Sequence, residues 1–129
     1  MEESLKHEKN QANIDWWSKL NHDVVYRSFI NAVTQLGLDH ECRWFRMSSQ
    51  QAYPFFKSAL PIDFLHIDGN HSEESAVLDV KLYVPLVKKG GIVFFDDIDW
   101  ASTNKAYELL KKQCQVVQQT NSWAVLRKL

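Results

Sequence analysis

The strongest constraint on this chain is a pair of apolar runs that each end in acid. Ile62, Phe64, Leu65 and Ile67 lead into Asp68-Gly69-Asn70-His71, and Ile92-Val93-Phe94-Phe95 leads into Asp96-Asp97. Between them Ser72 precedes Glu73-Glu74 and an apolar series of Val77, Val80, Leu82 and Val84, stopped by Pro85. A serine at an N-cap accepts hydrogen bonds from first-turn amides, and acids there favour the positive end of the helix dipole. The spacing therefore predicts a helix opening at Ser72. Near-continuous apolar strands cannot leave a face to water, so strand, polar turn, helix and strand predict an α/β fold. Its sheet is expected to be mostly parallel and covered on both faces. In such sheets ligands gather at the carboxyl ends of strands, which here carry Asp68 and Asp96-Asp97.

The same punctuation organises the rest. Asn21 is placed to cap a helix whose apolar residues Val24, Val25, Phe29, Ile30, Val33 and Leu36 recur at helical spacing and stop at Gly37. One face of that helix is expected to pack on something. Cys42, Trp44, Phe45 and Met47 read as a short strand, followed by Ser48 or Ser49 as cap of a helix that Pro54 keeps short or kinked. Lys88-Lys89-Gly90-Gly91 reads as a turn, and a helix follows from about residue 102 to 113. Residues 115–118 and 123–126 flank Thr120-Asn121-Ser122 as a closing antiparallel hairpin.

Composition narrows the function classes. With 129 residues, 45% of them hydrophobic, the chain is expected to form one domain with a real core and a polar arm over residues 1–13. Fifteen Lys+Arg against sixteen Asp+Glu leave a net charge of −1, so no global positive field favours nucleic acid or an anionic membrane surface. Cys42 and Cys114 lack any CxxC spacing, which argues against a zinc site or a disulfide framework. No export signal or spanning segment is visible, and a cytoplasmic location with reduced thiols is expected.

Three carboxylates from two neighbouring strand ends suit a hard divalent cation, magnesium best, with open positions for water and substrate. His71, three residues after Asp68, carries an imidazole suited to removing a hydroxyl proton near neutral pH. Each residue also has a plainer reading, because an aspartate at a strand end often caps the next helix and a histidine in a turn is often merely exposed. Trp100 is placed either to wall an aromatic site or to pack a helix start. Trp16 and Trp17 read as packing residues, His66 as an interior histidine, and Lys105, Lys111 and Lys112 as a solvated face.

The stretch from Ile62 to Ser72, the helix carrying Asp79, and the run from Pro85 to Asp97 closely resemble class I S-adenosylmethionine-dependent methyltransferases. The nearest group is the small-molecule O-methyltransferases related to catechol and macrolide-sugar methyltransferases. The resemblance spans about residues 40 to 127, with the IDG-x-H turn and the GG-apolar-DD strand in the expected order. It implies a Rossmann-like sheet in which Asp68 ends the fourth strand and Asp96 and Asp97 end the fifth. It further implies that Asp68, Asp96 and Asp97 hold magnesium, that His71 is the catalytic base, and that Ser48 and Asp68 lie against S-adenosylmethionine. Ser48 and Ser49 stand where the family usually keeps an adenine-proximal acid.

The family opens with a strand, a glycine-rich turn and a helix that cradle the methionine part of the cofactor. Here the glycines are Gly37, Gly69, Gly90 and Gly91, and neither Glu2, Glu3 nor Asp15 follows an apolar strand that would make it the ribose acid. The expectation is therefore the carboxyl-terminal portion of a methyltransferase domain acting on a small hydroxylated molecule. The first cofactor-binding strands would be lacking, and a second copy or a complementing chain would complete the sheet. The rival is a non-catalytic remnant that serves as a binding or oligomerisation module.

Overall fold

The computed structural model describes Asp15, residues 18–59 and residues 61–129. The expected arm over residues 1–13, and Trp16 and Trp17, lie outside the described residues. The chain divides into two compact units, one of residues 8–46 and one built on residues 47–129.

In the first unit, helix α1 (His22–Gln35) begins where the Asn21 side chain accepts from the amides of Asp23 and Val24. It ends in a left-handed glycine, Gly37 at φ 67°. Leu38 N–H reaches Val33 O and Gly37 N–H reaches Thr34 O, which satisfies carbonyls the last turn would leave open. The expectation that α1 buries an apolar face is met only at Val33; Val24, Val25, Phe29 and Leu36 stay exposed. Phe29 meets Trp44 edge-on at 6.1 Å, and Arg46 pairs with Asp23 while lying 4.8 Å over the Tyr26 ring. The strand expected at residues 42–47 does not form. No described strand pairs with the segment, and Arg43 Nη1 donates to the carbonyls of Asp39, His40 and Cys42.

In the second unit the order is α2 (Ser49–Phe56), β1 (Ile62–Ile67), α3 (Glu73–Tyr83), a 3₁₀ turn (Val84–Leu86), β2 (Val87–Phe95), α4 (Asn104–Lys111), β3 (Cys114–Gln119) and β4 (Ala124–Lys128). Ser48 and Gln51 form a capping box at α2, and Ser72 caps α3 as its sequence predicts. The described strands form one mixed sheet in the order β1-β2-β4-β3. β1 and β2 are parallel, while β4 lies antiparallel to both β2 and β3. β1, β2 and β3 thus share a direction, but only one of the three ladders is parallel, because β4 inserts between β2 and β3. The closing hairpin is where the sequence places it.

Residues 88–91 are a correction. They belong to β2, whose register jumps from Ile62↔Val87 to Phe64↔Ile92, so the extra residues bulge out of the ladder. Gly90 sits at φ 80°, and a Cβ on Gly91 would come within 2.7 Å of Val87 Cγ1 and 2.9 Å of Lys88 O. The turn chemistry read from the two glycines is used inside a strand. The Lys88 ammonium pairs with Asp63 on β1 across the bulge.

The core lies on one face of the sheet. Ala76, Val80, Ala106 and Leu110 from α3 and α4 pack with Ile67, Val93, Phe95 and Leu126. Among the described residues of this unit, coverage of both faces, expected from the apolar strands, is not found. The opposite face carries Phe64, 59% exposed, and a run of rings in which His66 meets Phe94 edge-on at 5.0 Å and Phe94 stacks on Trp123 at 5.4 Å. Cys114 is buried in the core and both cysteines are free. No helix among the described residues is long and apolar enough to cross a membrane.

Candidate functional site

Parallel pairing of β1 and β2 brings their carboxyl ends side by side. The Asp96 amide donates to Ile67 O at 3.1 Å, so Asp68 and Asp96 leave the sheet together. The turn after β1 is set by Asn70, whose Oδ1 accepts from Ser72 N–H at 2.8 Å and leads the chain into α3. The turn after β2 is sharper. Asp97 adopts φ 53°, a left-handed conformation that costs a side-chain-bearing residue energy unless its surroundings hold it. They do so from several sides. The Asp97 amide donates to Asp96 Oδ1, Thr103 Oγ1 donates to Asp97 O at 2.6 Å, and Ile98 N–H donates to Ser122 O at 2.8 Å.

This bend carries the Asp97 carboxylate to His71, where Oδ2 meets Nε2. The other side of the ring is fixed by Trp100, stacked on His71 with centroids 4.5 Å apart. Trp100, read from the sequence either as a wall of an aromatic site or as packing at a helix start, lies against the His71 ring. His66 corrects its reading as an interior histidine. Period-two alternation puts it on the open face with Phe64, it is half exposed, and its Nε2 lies 4.0 Å from Asp96 Oδ2.

Two triads result, each with ligand atoms within 4.8 Å of one another: Asp68 with His71 and Asp97, and Asp68 with His66 and Asp96. Asp68 is common to both, whereas Asp96 and Asp97 stand in different triads. Ligand atoms on one ion lie at most twice the metal–ligand distance apart, about 4.2 Å for magnesium and about 5 Å for calcium. The carboxylates suit magnesium and manganese alike, whereas the imidazole of each triad is a ligand preferred by later transition ions. Burial and the neighbouring charges of Asp96 and Asp97 raise the Asp68 pKa, with His66 and His71 opposing, so a cation would relieve the crowding of like charge.

Beside the triads, Asp68, Gly69, His71, Asp79, Asp96 and Thr103 line a small pocket. Ser48 does not line it; its hydroxyl is engaged with Gln51 in the cap of α2. Its neighbour turns inward, and Ser49 Oγ donates to Asp79 Oδ1 at 2.5 Å. Asp79 is the polar residue that sequence reasoning left without a role, and Ser49, read there as an alternative cap and with Ser48 as standing in place of an adenine-proximal acid, is its partner. The signal available for Asp79 was an acid at a position of α3 that falls one residue before the core residue Val80.

Over residues 3–98 the chain matches the model of a methyltransferase domain family. The match covers well over half of the chain, which belongs to that family. It reaches further toward the amino terminus than the motif-bearing stretch from residue 40, and it ends at the acidic turn, before α4 and the hairpin. No curated protein matches the chain.

Proposed function

We propose that the chain is part of an S-adenosylmethionine-dependent, magnesium-assisted O-methyltransferase that acts on a small hydroxylated molecule. The observation that carries this reading is the meeting of Asp68, His71 and Asp97 at the ends of two parallel strands in a methyltransferase domain. When bound, S-adenosylmethionine supplies an electrophilic methyl group and magnesium supplies a Lewis acid that makes a hydroxyl easier to deprotonate. The chain's own residues then have distinct tasks. His71 takes the hydroxyl proton; Asp97 holds its Nε2 and so fixes the ring; Trp100 walls the ring and orients a planar acceptor. Asp68 and Asp96 place negative charge where the cation is needed, and Asp68 also faces the cofactor.

By resemblance, β1 and β2 stand as the fourth and fifth strands of a Rossmann-like sheet, and a second copy of the chain or a complementing polypeptide supplies strands beside β1. A non-catalytic remnant is the second reading, favoured by the absence of a glycine-rich turn from this sequence. Calorimetric titration with S-adenosylmethionine in the presence of magnesium tests the two. Saturable heat that needs magnesium supports the enzyme; no heat at millimolar cofactor removes the catalytic reading for this chain alone.

A further inference from the structure

Asp79 is the one charged side chain that is buried among the described residues, at 9% exposure. Removing a carboxylate from water is costly unless it is paired, yet among the described residues no Lys, Arg or His forms an ion pair with it. Its two oxygens have separate surroundings. Oδ1 accepts from Ser49 Oγ at the first turn of α2, and the same serine's carbonyl accepts from Tyr83 Oη at 2.6 Å. Tyr83 packs edge-on against Tyr53 and Phe56, so α2 is bound to α3 through one polar and one aromatic contact set. Oδ2 lies against the turn after β1, where a Cβ built on Gly69 would stand 3.0 Å from it.

Gly69 does not have a positive φ, so the backbone does not demand glycine there. A Cβ there would instead press on the Asp79 carboxyl, which would have to give by a few tenths of an ångström. The two residues, on separate elements, are therefore closely fitted, the bare backbone of the turn resting on the carboxyl. The turn so held is the one that presents Asp68 on one side and His71 on the other.

We infer that Asp79 is a positioning residue of the candidate site: through Ser49 and Gly69 it clamps the start of α2 and the turn at residues 68–71 together, holding Asp68 and His71 in place. This rests on the methyltransferase reading only for the task served; the clamp itself is a statement about geometry. Burial pushes the Asp79 carboxyl above its ordinary range, with the Ser49 bond opposing, which agrees with a group held by neutral donors.

The test uses the full chain and two readouts: nuclear Overhauser contacts between the His71 and Trp100 rings, and affinity for manganese alone. Asp79→Ala and Ser49→Ala should each keep the native circular dichroism, weaken the ring contacts and lower manganese affinity by about tenfold. Asp79→Asn, which keeps an acceptor for Ser49, should restore the ring contacts. Gly69→Ala should disturb them, and Gly69→Ala combined with Asp79→Ala should be no worse than Asp79→Ala alone. Ring contacts unchanged in both Asp79→Ala and Ser49→Ala would overturn the inference, whatever manganese does. A native chain that binds no manganese would instead remove the metal-assisted reading, and the ring contacts would still decide the role of Asp79.

Discussion

His71 and Asp97 lie 26 residues apart in the chain and meet side chain to side chain, Nε2 to Oδ2, at the ends of two neighbouring strands. The contact exists because Asp97 leaves β2 in a left-handed conformation and because Trp100, three residues on, closes over the far face of the imidazole. A carboxylate that fixes a histidine ring is the arrangement expected of a proton acceptor. It turns a family resemblance into measurable claims.

Replacing His71 by alanine should slow methyl transfer by about 10²- to 10⁴-fold while magnesium affinity stays nearly intact, the ion resting on the triad of Asp68, His66 and Asp96. Steady-state rates and calorimetry of the same preparation check both halves. Equal rates would retire the histidine as base.

Asp96→Asn combined with Asp97→Asn removes one carboxylate from each triad. Any thermal stabilisation by magnesium should disappear in this variant. A shift as large as in the native chain would put the ion elsewhere.

The left-handed backbone at Asp97 makes its own forecast. Asparagine tolerates that region, so Asp97→Asn should unfold in urea close to the native midpoint. Valine does not, and Asp97→Val should lose about 1–3 kcal/mol. Equal midpoints for the two would show that the bend relaxes freely.

Gly91→Ala should destabilise by about 1–3 kcal/mol, because the added methyl meets Val87 and the Lys88 carbonyl with no flexible neighbour to yield. Urea unfolding measures it. A neutral result would mean that the β2 bulge adjusts at little cost.

The pH dependence of stability follows from Asp79. Its folded pKa is raised, so between the unfolded value near 3.8 and the higher folded value the native state binds more protons than the unfolded one. Its contribution to stability is then greatest below the unfolded value and falls as pH rises through that window. Asp79→Asn should flatten this decline, as read by urea unfolding from pH 3.5 to 7. An identical slope in both proteins would mean that Asp79 titrates normally.

The parts of this fold legible in the sequence were those decided locally. Asn21 and Ser72 cap the helices they were expected to cap, and the hairpin around residues 120–122 forms, because caps and turns depend on a few consecutive residues. What depends on distant partners was not legible. Residues 42–47 have strand composition, but no described strand pairs with them, and the Arg43 side chain bonds carbonyls of the preceding residues instead. The glycines at 90 and 91 carry turn chemistry that the ladder absorbs as a bulge. At the site, the aspartates and His71 were visible as strand-end polar residues. The place of His66 beside Asp96 needed the register Ile67↔Phe95, and the contact of Ser49 with Asp79 spans 30 residues on two helices.

The position of β4 has a consequence for biosynthesis. The strand whose end bears Asp96 and Asp97 takes its second row of hydrogen bonds from β4, where residues 124–127 pair with residues 92–95, so that row cannot be made until residue 127 has left the ribosome. A nascent chain stalled before that point would display β2 as an open template to its neighbours on a polysome.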